Sequence, residues 1–231
     1  MTVAAIVPAA GRGERLGPGA PKAMRPLGGT PMLVHAVRGM LHARLVDLVV
    51  VAAPPGGEAE VASVLASHDV GKEVRVVAGG ATRQESVRRA LESLPPEVDI
   101  VLVHDAARPL TPSEVADAVV NRVRAGADAV VPGLPVTDTI KRVDPGGVVT
   151  ETLLRAELVA VQTPQGFTRE LLAKAHEAAV VDGFEASDDA GLAERVGAAV
   201  TVVPGSAEAF KVTRPADLVF AEALLRERRG R

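Results

Sequence analysis

Cysteine, tryptophan and tyrosine are absent from the 231 residues, and phenylalanine occurs four times. Without cysteine there is neither a disulfide framework nor a thiolate metal site, which fits a reducing compartment. With so few aromatic rings the stacking platforms that grip single-stranded nucleic acid are missing, and the core has to come from Val, Leu, Ala and Ile. No apolar run approaches the roughly 18 residues of a membrane span. No basic segment precedes the first apolar stretch, as a secretory signal requires. Charge of one sign is not in excess either: a formal net charge of -3 with 47% hydrophobic residues describes a globular chain rather than a disordered or nucleic-acid-coating one. These absences lead us to expect a cytoplasmic protein with no nucleic-acid and no membrane partner.

What is present alternates. Val3 to Val7, Leu48 to Ala52, Val74 to Val77, Ile100 to Val103, Ala129 to Val131 and Val200 to Val203 are short, nearly continuous apolar runs, the mark of strands covered on both faces. Between them Met32 to Leu41, Glu58 to Ser67, Arg83 to Leu94, Ser113 to Arg124, Arg169 to Val180 and Asp189 to Arg195 have helical spacing, and Pro215 stands near the start of a last helix. The alternation predicts an α/β, doubly wound, mostly parallel sheet in one domain over residues 1–231. In such sheets ligands bind beyond the carboxyl ends of the strands. One stretch departs from the rhythm: Thr137 to Val143 and Val148 to Thr152 flank Asp144-Pro145-Gly146-Gly147, a hairpin signal. A two-stranded hairpin is marginal alone, so it must pack on its own domain or reach a second subunit.

Three groups of segments leave the predicted strands. In "VPAAGRGERLGPGAPKAM" (7–24), Gly11 and Gly13 let backbone N–H groups approach phosphate oxygens, and Arg15 and Lys22 add fixed positive charge. A dinucleotide fingerprint would need a small residue where Leu16 stands, and no Gly-Lys-Ser/Thr occurs, so neither standard nucleotide motif applies; an ordinary turn is the competing reading. In "VLVHDAARPL", Asp105 at a strand's carboxyl end is placed to ligate Mg²⁺ beside phosphates or to cap a helix; His104 reads as a packed residue and Arg108 as a surface ion pair. Among the remainder, Gly79 and Gly80 could admit a base or sugar, with Ser86 offering a hydroxyl. Thr163-Pro164-Gln165-Gly166 reads as a turn, Lys211 as a ligand or a solvated charge, and Asp188-Asp189 as a helix cap.

In order, "PAAGRGERLGPGAPKAM", "GGATRQESV", "VHDAARPL", "PVTDTIKR", "VQTPQGF", "SDDAGLAE" and "KVTRPADL" resemble the 2-C-methyl-D-erythritol 4-phosphate cytidylyltransferases of the non-mevalonate isoprenoid pathway over nearly the whole chain. The resemblance implies a Rossmann-like nucleotidyltransferase fold with a β-arm over residues 137–155. It also implies Mg²⁺-dependent attack of a sugar-alcohol phosphate on the α-phosphorus of CTP, with release of pyrophosphate. It assigns catalytic roles to Arg15, Lys22 and Lys211; nucleotide binding to Ala9, Ala10, Gly11, Gly13, Gly80, Ser86 and Ala106; acceptor binding to Asp105, Arg108, Thr139, Arg155 and Thr163; and the metal to Asp105. Thr139 and Arg155 would act from the arm of a neighbouring subunit, which makes a homodimer the expected assembly. Many members carry Gln and an aromatic residue where this chain has Ala23 and Met24. Enzymes that transfer CMP to ribitol 5-phosphate share most of these motifs, so that acceptor stays open here. So does a non-catalytic nucleotide-binding module.

Overall fold

The structure, a computed structural model, describes residues 1–11, 21–71 and 73–230. In chain order the elements are β1 (Thr2–Pro8), a short ribbon of β2 (Pro26–Leu27) and β3 (Thr30–Pro31), α1 (Met32–Leu41), β4 (Leu48–Ala53), α2 (Glu58–Ala66), β5 (Val74–Ala78), α3 (Arg83–Glu92), β6 (Val98–Val103), α4 (Ser113–Arg124), β7 (Ala129–Pro135), β8 (Lys141–Val143), β9 (Val149–Thr152), β10 (Val159–Val161), β11 (Gln165–Thr168), α5 (Arg169–Asp182), α6 (Asp189–Arg195), β12 (Val200–Pro204) and α7 (Pro215–Gly230).

The main sheet runs β10-β7-β11-β6-β1-β4-β5, with β12 added parallel to β7. Strand β1 pairs in parallel with both β4 and β6, and β4 with β5. Because successive side chains of a strand face opposite ways, the all-apolar run Val3–Val7 feeds two cores. Val3, Ala5 and Val7 pack with Val49, Val51 and Leu102 beneath α1, α2 and α4. Ala4 and Ile6 pack with Val50, Val101 and Phe167 beneath α3, α5 and α6. Helices therefore cover both faces, as the continuous hydrophobicity of the strands requires. No helix among the described residues is long and apolar enough to cross a membrane.

Strand β11 corrects the sequence reading of Thr163-Pro164-Gln165-Gly166 as a simple turn. The Thr163–Pro164 bond is cis, and from Gln165 onward the chain is a strand wedged antiparallel between β6 and β7, with Gln165 opposite Val103 and Phe167 opposite Val101. Gly166 is needed there because a Cβ would press on Val119 and come within 3.0 Å of Leu102 Cδ2. Phe167 is fully buried. The strand is set by its neighbours, since four residues carry too little pattern of their own.

The hairpin forms where its turn signal stands, but its ladder is confined to β8 and β9. Asp144 N–H donates to the Val148 carbonyl at 3.0 Å, and Gly147 takes a left-handed φ of 81°. Arg142 and Glu151 pair across the strands at 2.9 Å. Both strands are exposed along their whole length, with Val143, Val148, Val149 and Leu154 all more than half exposed. The arm has no core of its own.

Candidate active site

The carboxyl ends of β1, β5 and β6 converge on a cavity. Ala9 N–H donates to the Ala52 carbonyl at 2.9 Å, Gly79 N–H to the Ala53 carbonyl at 2.7 Å and His104 N–H to the Ile6 carbonyl at 2.8 Å, so the three post-strand segments leave the sheet in register. The cavity is lined by Ala9, Ala10 and Gly11 after β1, Lys22 and Ala23 from the next turn, Gly80, Arg83 and Ser86 after β5, Asp105 and Ala106 after β6, and Lys211 from the segment before α7. Gly13 and Arg15 lie outside the described residues.

Each wall is built by local chemistry. Gly79 has no room for a side chain: a Cβ would sit 2.7 Å from the Ala53 carbonyl oxygen and 3.1 Å from Ala10 Cβ. Gly80 N–H donates to Ser86 Oγ at 3.0 Å while that hydroxyl donates to the Thr82 carbonyl at 2.8 Å, so Ser86 fixes the glycine turn from inside the fold. Thr82 caps α3 by accepting from Glu85 N–H, and Glu85 accepts from Ala81 N–H at 2.7 Å, a variant of the capping box. Ala23 is buried, and Met24 packs on the core beside it, which shows how the turn after the glycine-rich stretch closes with these residues.

Lys211 arrives by a backbone contact: Val212 N–H donates to the Ala107 carbonyl at 2.8 Å and draws the "KVTRP" segment against the turn that follows β6. Asp217 fixes its far side, accepting from Thr213 N–H and Arg214 N–H at 2.8 Å each. Lys211 Nζ then lies 2.7 Å from Asp105 Oδ2. The other carboxylate oxygen of Asp105 accepts from Arg83 Nε at 3.1 Å, and Arg83 Nη1 reaches on to Asp189 Oδ2 at 2.7 Å. Burial alone would raise the Asp105 carboxyl, but Arg83 and Lys211 outweigh it and hold it well below the usual carboxylate range. Burial likewise works against the Arg83 guanidinium, and Asp189 and Asp105 more than compensate, pushing its pKa above the ordinary value. Asp105 and Arg83 therefore stay charged at neutral pH.

Arg108 and Thr163 do not line the cavity; they brace the turn that does. Asp105 N–H donates to Thr163 Oγ1 at 3.0 Å. Arg108 is not the surface ion pair its sequence context suggested: Nη1 donates to the Ala209 carbonyl at 2.6 Å and Nη2 to the Val161 carbonyl at 3.3 Å, tying the turn to the strand and segment beside it. His104 is fully buried, as a packed residue should be, and burial pushes its imidazole down to about 4. Thr139 and Arg155 are exposed on the arm and are not among the cavity's residues; Arg155 donates to the Thr137 carbonyl at 2.9 Å.

Two residues were not foreseen. Arg83 follows the Gly79-Gly80 turn by three positions, a signal that marks it as facing the same strand ends, but its place in the first turn of α3 disguises it as part of a polar helix face. Asp189 reads as a helix cap, yet Asp188 takes that role, accepting from Gly191 N–H at 3.0 Å.

The family model for 2-C-methyl-D-erythritol 4-phosphate cytidylyltransferase matches residues 3–227. The chain belongs to this family. Cytidylyltransferases of the same name from Streptomyces avermitilis and Streptomyces coelicolor are 59% and 58% identical to it, each over 98% of this chain and over 92% and 86% of their own lengths. A crystal structure of the cytidylyltransferase from Thermus thermophilus superposes with a TM-score of 0.80 at 39% identity, covering 98% of this chain and all of that one. The 4-diphosphocytidyl-2C-methyl-D-erythritol synthase from Anaerococcus prevotii reaches 0.85 at 27% identity, covering 97% and 96%. As a cytidylyltransferase of this family the chain is a nucleotidyltransferase of isoprenoid biosynthesis.

Proposed function

We propose that the cavity joins CTP to 2-C-methyl-D-erythritol 4-phosphate. A phosphate oxygen of the acceptor attacks the α-phosphorus of CTP, the bond from that phosphorus to the bridging oxygen breaks, and pyrophosphate leaves with the electron pair. The observation that carries the reading is the convergence of Lys22, Arg83 and Lys211 around a cavity whose described lining has one carboxylate, Asp105. The acceptor phosphate is already a nucleophile, so no general base is required. What the protein must overcome is repulsion between two polyanions, and preorganised cations in a partly dry site do that.

Lys22, with Arg15 from the glycine-rich stretch, neutralises the triphosphate, and Lys211 stabilises charge as it grows on the α-phosphoryl group. The backbone at Ala9, Ala10, Gly11, Gly13, Gly80 and Ala106, with Ser86 behind it, holds ribose and cytosine. Arg108 and Thr163 keep the Asp105 turn in place toward the acceptor. Among the described residues no cluster of three His, Cys, Asp or Glu side chains could cage a metal, and the cavity offers one carboxylate, Asp105, whose oxygens would be shared between the ion and the Arg83 and Lys211 contacts. That donor set suits Mg²⁺, which binds through one carboxylate, waters and phosphates rather than a protein cage. When bound with the nucleotide, the ion supplies charge neutralisation at the phosphates, with Asp105 as its protein ligand.

Residues 1–231 act as one catalytic domain in this reading, and the arm over 137–155 brings Thr139 and Arg155 to the acceptor in the partner subunit of a homodimer. The four exposed apolar side chains of the coreless hairpin support that assignment. A reaction that consumes CTP belongs in the cytoplasm, where nucleoside triphosphates are kept. Pyrophosphate release, followed by a coupled assay with each component omitted in turn, tests the reading: release should require CTP, the acceptor and Mg²⁺ together. Release at the full rate without the acceptor would contradict it.

A further inference from the structure

We infer that Asp189, which does not line the cavity, is a positioning residue for the transfer; the inference rests on reading the cavity as the cytidylyl-transfer site. Asp189 is 1% exposed at the start of α6. Its Oδ2 accepts from Arg83 Nη1 at 2.7 Å, and its Oδ1 lies 3.1 Å from Nε2 of His176, a 1%-exposed residue of α5. Beyond Arg83 the series continues through Asp105 to Lys211 at 3.1 and 2.7 Å. Four side chains of alternating charge, delivered by four separate segments, thus run from behind the cavity wall to its interior. Burial would raise the Asp189 carboxyl, but Arg83 and the His176 hydrogen bond outweigh it and keep it below the usual range.

The geometry of the guanidinium explains what Asp189 does. Arg83 gives Nη1 to Asp189 and only Nε to Asp105, while its Nη2 is buried and has no hydrogen-bond partner among the described residues. Released from Asp189, the planar fork is free to turn a second N–H onto Asp105 in the bidentate geometry that arginine and carboxylate favour. That second N–H would compete for the Oδ2 atom that Lys211 now holds. Asp189 therefore restricts Arg83 to one oxygen of Asp105 and leaves the other to fix Lys211 where transferred charge develops. A shift of about 1 Å in a reacting or stabilising group is enough to cost on the order of a hundredfold in rate.

Steady-state kinetics on the full chain test this. Asp189→Asn keeps shape and a hydrogen-bond acceptor while removing the charge; kcat should fall by roughly tenfold or more, with KM for CTP changing far less. In an Arg83→Gln background the same substitution should leave kcat at the Arg83→Gln level, because the contact that links Asp189 to the site is gone. His176→Gln, which spares the carboxylate, should give a smaller loss of kcat that also disappears in the Arg83→Gln background, and it serves if Asp189→Asn does not fold. Undiminished kcat in both single variants, or losses that multiply in the double variants, overturns the inference. Absence of transfer by the unmodified protein would overturn the functional reading itself, so the two failures are distinct.

Discussion

Removal of the Lys211 ammonium separates catalysis from stability in a way the structure makes quantitative. The side chain is 40% exposed and contacts Asp105 at 2.7 Å, and Asp105 keeps its second partner, Arg83, at 3.1 Å when Lys211 is gone. No buried charge is orphaned in Lys211→Ala. The lost ion pair is partly screened by solvent, which places its contribution to stability below about 1 kcal/mol. For a chain of this length that corresponds to a Tm change within about 2–4 °C. The transfer step should suffer far more, because one preorganised donor at a centre of developing charge contributes about 2.7–4 kcal/mol, or 10²–10³ in kcat. Pyrophosphate-release kinetics and a thermal melt on the same preparation give both numbers. A fall in kcat of less than about tenfold, the size of one modest hydrogen bond, would refute the role assigned to Lys211. A large loss of Tm with proportionate inactivation would make it a structural residue instead.

Other consequences are open to direct measurement. Gly79→Ala forces a Cβ to 2.7 Å from the Ala53 carbonyl oxygen, a backbone atom that cannot step aside, so chemical denaturation should show a loss of about 1–3 kcal/mol. His104 has a folded pKa pushed down to about 4 from 6.5. Its unfolded form binds the proton first, so its contribution is complete above pH 6.5 and is lost, by about 3 kcal/mol in all, as pH falls toward 4. Urea titrations of metal-free protein across that window should show the slope, and His104→Gln should flatten it. If the arm holds the proposed homodimer together, the full chain should sediment as a dimer and a chain lacking residues 141–152 as a monomer, whereas the same assembly for both would remove the arm from the interface.

Much of the scaffold was readable because burial on both faces leaves an unmistakable mark. Val3–Val7 and Leu48–Ala53 are apolar at nearly every position, and the helical spacing from Met32 to Leu41 matches α1 at both ends. Strand β11 escaped because Gln165-Gly166-Phe167-Thr168 becomes a strand only when β6 and β7 present free edges to it. Within the site, residues immediately after strands were legible by position: Gly80, Asp105 and Ala106 all line the cavity. Partnerships were not. Arg83 and Asp189 are 106 positions apart and meet only because α3 and α6 cover the same face of the sheet. Arg108 has a charge that suggests a surface pair, whereas its neighbours offer carbonyls.

Acceptor competition decides which sugar-alcohol phosphate the protein cytidylylates. Full-length protein is given CTP and Mg²⁺ with 2-C-methyl-D-erythritol 4-phosphate and ribitol 5-phosphate at equal concentration, and the cytidine diphosphate products are separated and counted. 4-Diphosphocytidyl-2-C-methyl-D-erythritol should dominate, and its formation should collapse in Lys22→Ala and Lys211→Ala. Predominant CDP-ribitol, or undiminished product from both variants, would contradict the proposed function.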